Sequence, residues 1–261
     1  MKLKCSGGTV AHIPSSAFVG RDRILIFYQG QPKVCHSEDG ESIGANPFSQ
    51  RLSMILMSKG CTFTLNTVDM KRCPDALKEL APGTQPPFLI YNGEVKTDVN
   101  KIEEFLEEKL TAPRYPCMTP KHKESNTAGN DVFQKFSAYI KNQVPAQDDH
   151  LQKNLLRSLL KLDLYLKNPL PYELCRDPKM TVSKRKFLDG DNLTLPDCNL
   201  LPKLHIINIV CCQYRGFEIP KDLQGISRYL ANAEEQKAFK YTCPHSSEII
   251  LFYRDVVRKM P

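Results

Sequence analysis

No stretch of this 261-residue chain approaches the roughly 20 uninterrupted apolar positions that a spanning helix needs, which excludes a constitutive transmembrane helix. Tryptophan is absent, and with it the side chain best suited to hold a segment at a membrane interface. No C-x-x-C occurs, and no cysteine and histidine share the spacing of a zinc site, so no metal centre is expected. There is no run of five or more Lys/Arg and no aromatic residue interleaved with one, so no nucleic-acid partner is expected. Residues 1–18 lack the apolar core of a signal peptide. The ten scattered cysteines, Cys5, Cys35, Cys61, Cys73, Cys117, Cys175, Cys198, Cys211, Cys212 and Cys243, are therefore expected as reduced thiols in a cytosolic protein. They read as small buried apolar residues.

What is present is a chain able to build a core. Apolar residues make up 41% and charged residues 25%, ordinary for a globular protein. The net charge of +7 suits a mild attraction to anionic membrane surfaces.

Residues 1–22 have no periodicity and read as a disordered tail. The β-branched and aromatic run 24–28 predicts a buried strand. Asn46-Pro47-Phe48-Ser49 then opens a helix over 48–59 with Phe48, Leu52, Ile55 and Leu56 on its inward face. Residues 62–68 alternate as a second strand, and 74–80 predict a short helix ended by Pro82-Gly83. Segment 86–98 reads as strand, Asn92-Gly93 turn and strand. A helix follows over 98–110 with Ile102, Phe105, Leu106 and Leu110 inward. This β-α-β-α-β-β-α order is that of a thioredoxin-like domain, placed at 23–112.

The Pro-, Ser-, Thr- and Lys-rich stretch after it predicts a linker, placed at 113–125. The remainder, 126–261, reads as all helical. Leucines recur at helical spacing over 151–166, a polar loop occupies 171–187, and a long apolar helix is predicted over 194–214. Thr194 and Asp197 form a capping box at its start, with Pro196 in the first turn. Two more helices are predicted near 222–233 and 247–260.

An α/β thioredoxin-like domain, a linker and an all-α domain with a T-x-x-D box make up the glutathione transferase plan. Closer still, the runs 42–52, 86–110, 124–142, 186–206 and 228–233 resemble the chloride intracellular channel (CLIC) family, and the similarity covers about 24–261. The resemblance implies a soluble, glutathione transferase-like protein with a cytoplasmic and a membrane-associated pool. It implies anion (chloride) conduction by a metamorphic form that is monomeric when soluble and oligomeric in the membrane. Family members also show glutathione-dependent oxidoreductase activity through a Cys-Pro-Phe-Ser type motif. An adaptor role toward membrane lipid or the cortical cytoskeleton is the third expectation.

The resemblance places Asn46 at the family's reactive cysteine. An amide has no nucleophile, so oxidoreductase activity is not expected, and Ser49 has no histidine nearby in sequence to activate it. The implied glutathione frame is Pro86, Pro87 and Asp98. Pro87 matches the cis proline of thioredoxin-like folds, but Pro86 offers no N–H to the ligand. Asp98 matches the residue that holds the γ-glutamyl amine. Asn46 and Asp98 are equally good helix N-caps, and Pro87 has a purely structural reading. Glutathione is thus expected to bind weakly, and no cofactor is required.

The segment that the family is proposed to insert into membranes corresponds to Asn46 to Val68. It carries Arg51 and Lys59, each costing about 2.5 to 3.5 kcal/mol at a bilayer centre. Ser53 and Ser58 stand where relatives have bulky apolar residues, and Met57 replaces their tryptophan. Physics alone favours an ordinary helix and strand here. The loop 171–187 is basic, with Arg176, Lys179, Lys184, Arg185 and Lys186 against Glu173 and Asp177. It is read either as a solvated loop or as a contact for anionic lipid or an acidic partner.

Overall fold

The computed structural model of the chain describes residues 24–29, 45–68, 86–92 and 94–258. The tail expected over 1–22 and the helix expected over 74–80 lie outside the described residues. The chain divides into two compact units, Met1–Cys117 with Thr242–Glu248, and Met118–Tyr241 with Ile249–Pro261.

The first unit is a mixed sheet with helices. Its described strands are β1 (Ile24–Gln29), β2 (Phe63–Val68), β3 (Phe88–Tyr91) and β4 (Glu94–Lys96), in the order β2-β1-β3-β4. β1 runs parallel to β2 and antiparallel to β3, and β3 to β4 is a hairpin through Asn92 at φ 48. Consecutive buried residues, Ile24 to Ile26 in β1 and Phe88 to Ile90 in β3, mark strands covered on both faces. Helix α1 (Pro47–Lys59) crosses between β1 and β2, as a parallel pair requires. Gly60, at φ 67, ends it by sending its N–H to the Met57 carbonyl, a left-handed cap that a side chain would strain.

Leu52, Ile55 and Leu56 are fully buried as the spacing predicts, but Phe48 is 40% exposed. Helical side chains lean toward the N-terminus, so a residue in the first turn projects past the packed layer. Helix α2 (Val99–Lys109) buries Ile102, Phe105 and Leu106, and Leu110 follows at its cap, as predicted.

The second unit is helical among the described residues. A short 3-10 turn (Lys123–Asn126) precedes α3 (Val132–Ile140), α4 (Pro145–Lys167), α5 (Pro171–Arg176), α6 (Leu195–Arg215), α7 (Gln224–Glu235) and α8 (Lys237–Lys240). A last helix, α9 (Ser246–Arg258), begins in the first unit and ends in the second. Helix α4 turns Leu155, Leu159, Leu162 and Leu166 into the core. The loop expected over 171–187 contains α5, because Leu170 at the cap and Glu173 at the third position close a turn. The Leu170 N–H donates to Glu173 Oε2 at 2.8 Å.

Helices α4 and α7 meet at Gly225. A methyl group there would lie 2.8 Å from the Asp163 carbonyl oxygen, backbone that cannot swing aside. Gly225→Ala is therefore expected to destabilise the protein by about 1 to 3 kcal/mol despite the better helix propensity of alanine. Thermal unfolding of the variant checks this, and an unchanged or raised Tm contradicts it.

Candidate functional site

The site is organised by two parallel helix starts. Asn46, half-buried, is the N-cap of α1, with extended backbone at φ −86 and ψ 114. Its side-chain Oδ1 accepts the Phe48 N–H at 2.9 Å. The amide thus satisfies a donor that the helix leaves open and complements the positive end of its dipole. Asp98 does the same for α2, accepting the Lys101 N–H at 2.9 Å, and it is exposed. Arg51, one turn into α1, reaches Asn100 Oδ1 at 3.1 Å and Glu103 Oε2 at 2.6 Å in the first half of α2. Lys59, at the far end of α1, pairs with Glu107 at 2.8 Å near the far end of α2. The two helices therefore run side by side in the same direction, and Asn46 and Asp98 open at the same end of the unit. Burial holds the Glu103 carboxyl above its ordinary pKa, with Arg51 opposing.

Pro86 and Pro87 are buried and joined by a cis bond immediately before β3, the strand beside β1. Pro86 presents a carbonyl and no N–H. Ser49 is only 1% exposed, and its hydroxyl has no hydrogen-bond partner among the described residues. A hydroxyl so covered, with no histidine bonded to it, is not an activated nucleophile. Gln50, equally buried, donates from Nε2 to Cys243 Sγ at 3.2 Å, which places a thiol beside the second turn of α1. Sequence spacing gave no hint of this neighbour, because 193 residues separate the two. At this end of the unit Asp98 carries an exposed carboxylate, Asn46 stands in place of a thiol, and Pro86 has no backbone donor.

The segment Asn46 to Val68 forms α1 and β2. Its two cations are bound into the unit. Arg51 pairs with Glu103, and Lys59, with no exposed side-chain surface, also donates to the carbonyls of Leu110 at 2.9 Å and Pro116 at 3.0 Å. Extracting the segment would strand Glu103 and Glu107 and desolvate both cations, a cost of several kcal/mol for each buried pair. Among the described residues no helix is long and apolar enough to cross a membrane.

Two readings from the sequence are corrected. Arg185 is not part of an exposed basic loop. Its guanidinium is buried and donates to the carbonyls of Asn168 at 2.7 Å and Leu188 at 3.2 Å, with Glu173 at 3.4 Å. The alternation Ser183, Arg185, Phe187 inward leaves Lys184 and Lys186 facing out, and Arg176 and Lys179 are exposed as well. Nor are the cysteines uniformly buried. Cys61, Cys198 and Cys211 are, but Cys117, Cys175 and Cys212 are exposed. Burial pushes the thiols of Cys61 and Cys211 up to about 11 and about 12. Since only thiolate reacts, these two are expected to alkylate at least about a hundredfold more slowly at pH 8 than an ordinary thiol. Cys117, Cys175 and Cys212 should label first. Peptide mapping of time-resolved iodoacetamide labelling checks the order, and early labelling of Cys211 contradicts it.

At the Thr194–Asp197 box, Asp197 Oδ2 accepts from the Thr194 N–H at 2.8 Å and from its hydroxyl at 2.6 Å. The other oxygen accepts from the Leu188 N–H at 3.0 Å and the Tyr229 hydroxyl at 2.8 Å. Asp197, Leu188 and Tyr229 are fully buried and Thr194 half-buried, and the cluster serves the helical unit.

Residues 31–113 match the model of the CLIC-like N-terminal domain. The chain is 57% identical to human chloride intracellular channel protein 3 over 221 residues, 85% of this chain and 94% of that protein. Among solved structures it resembles the CLIC homologue EXC-4 from C. elegans, with a TM-score of 0.70 and 21% identity over 91% of this chain and 83% of that one. It also resembles a rice glutathione transferase, with a TM-score of 0.68 and 13% identity over 93% of this chain and 100% of that one. The likeness to these two structures fixes a glutathione transferase-like fold, a thioredoxin-like domain with an all-helical one. With it, identity to a chloride intracellular channel protein across most of both chains means that the chain belongs to the chloride intracellular channel family.

Proposed function

We propose that the protein acts as a chloride intracellular channel-type protein whose folded, cytoplasmic form associates reversibly with membranes and contributes to chloride transport, without thiol chemistry at α1. The observation that carries this reading is the 57% identity to human chloride intracellular channel protein 3 over 85% of the chain. The side chain at the family's cysteine position is an amide already spent on capping α1. That argues against the glutathione-dependent oxidoreductase alternative, and the missing Pro86 N–H keeps glutathione a weak ligand with no cofactor role. In the membrane the chain is taken to oligomerise.

A second reading, a non-catalytic adaptor between membrane and cortical cytoskeleton, is favoured by one feature. Arg51 and Lys59 tie the candidate membrane segment to α2, which resists the refolding that insertion demands. Chloride efflux from loaded vesicles, followed with binding at several pH values, tests the first reading against the second. Efflux that scales with bound protein supports chloride transport. Binding without efflux under every condition removes it and leaves the adaptor.

A further inference from the structure

Helix α4 is the longest described helix, and its outward face is unlike that of a solvated helix. Leu160 and Leu164 are 48% and 58% exposed, and half-buried Leu156 continues the line one turn earlier. Lys153, Arg157 and Lys161, all exposed, form a parallel line at the same four-residue spacing. The one acidic residue between 150 and 167, Asp163, points inward, where its carboxylate accepts the Ile226 N–H at 3.1 Å. The exposed Asp149 lies one turn before Lys153, near the start of the helix, and beyond it the face is an apolar stripe flanked by cations with no exposed acid, the pattern of a helix that lies on an anionic interface.

We propose that this face of α4 is the surface on which the folded protein docks to an anionic lipid bilayer. The inference rests on the membrane association proposed above and names its surface. A single outward helix face is convex. A bilayer conforms to it, letting the leucines sink past the headgroups while the lysines and arginine meet phosphates. A peptide partner instead calls for a groove or a sheet edge. A second copy of the chain would set one basic line against another.

The test uses the full chain and phosphatidylcholine vesicles with and without phosphatidylserine, sedimented at several salt concentrations. One variant carries Lys153→Glu, Arg157→Glu and Lys161→Glu. A second carries Leu160→Ser and Leu164→Ser. A control carries Lys221→Glu, Lys237→Glu and Lys240→Glu, which changes the net charge equally at exposed lysines elsewhere. The natural chain should bind only phosphatidylserine vesicles, and less as salt rises. The α4 charge variant should lose about a hundredfold in partitioning, the leucine variant about tenfold, and the control far less. If the α4 charge variant falls no further than the control, or the leucine variant binds unchanged, this surface is wrong while membrane association stands. A natural chain that stays unbound overturns both. Salt-sensitive binding to poly-glutamate without vesicle binding would assign the face to an acidic protein partner and overturn the proposal.

Discussion

Asn46→Cys is expected to switch on glutathione-dependent reduction of a small disulfide substrate, a reaction the natural chain should not catalyse. The position is already built for a thiolate. It is an N-cap with extended backbone, and the Phe48 N–H points at the side-chain acceptor. A thiolate there would take the same N–H and feel the helix dipole, which lowers a thiol pKa toward neutrality. The substitution gives up a good amide cap, a loss of about 1 kcal/mol. The turnover of the variant should exceed that of the natural chain by at least about tenfold, in line with the larger thiolate fraction. Equal activity in both would mean that another thiol carries the reaction, with Cys243 beside Gln50 the first to replace. Inactivity in both would mean that the missing Pro86 donor disables the frame.

The second large effect is on stability. Asp197→Asn should unfold the protein readily, although the two side chains are nearly the same size. All four groups around the carboxylate are donors: the N–H groups of Leu188 and Thr194 and the hydroxyls of Thr194 and Tyr229. An amide has one acceptor oxygen, so its NH2 group would face a backbone N–H that can only donate, and the hydroxyl beside it would have to turn and accept, in a fully buried place. The expected loss is about 3 to 5 kcal/mol. For a chain of this size that lowers Tm by about 10 °C. Tyr229→Phe removes one donor and leaves the other three, so its loss should be far smaller, about 1 kcal/mol. Denaturant unfolding of the two variants separates them. Asp197→Asn with natural stability would show that the carboxylate is not the keystone of the α6 start.

Most described elements could be read from periodicity and punctuation. A β-branched and aromatic run located β1, alternation located β2, Asn92 marked the β3–β4 hairpin, and the leucine spacing located α4. Capping chemistry located the starts of α1, α2 and α6, because a cap depends on residues within one turn. Short helices escaped. Helix α5 lay inside a stretch that reads as polar loop, since six residues carry too little periodicity to stand out. Phe48 matched the inward spacing of α1, yet sits exposed in the first turn.

The local chemistry of the site was legible in the same way. Asn46 instead of a thiol and Pro86 without an N–H are facts of single residues, and sequence alone determined what they exclude. Only the tertiary structure decided which charges are available and which are spent. Arg185 reads as a surface cation but is enclosed by backbone carbonyls. Arg51 and Lys59 read as obstacles to membrane entry and prove to be the clamps that align α1 with α2. Cys243 stands next to Gln50 from across the chain. Periodicity ranks faces by how apolar they are, so it could not reveal that Leu160 and Leu164 point outward beside a basic line. Burial of a charge or exposure of a leucine depends on what folds over it from a distance, and that information is held in no local stretch of sequence.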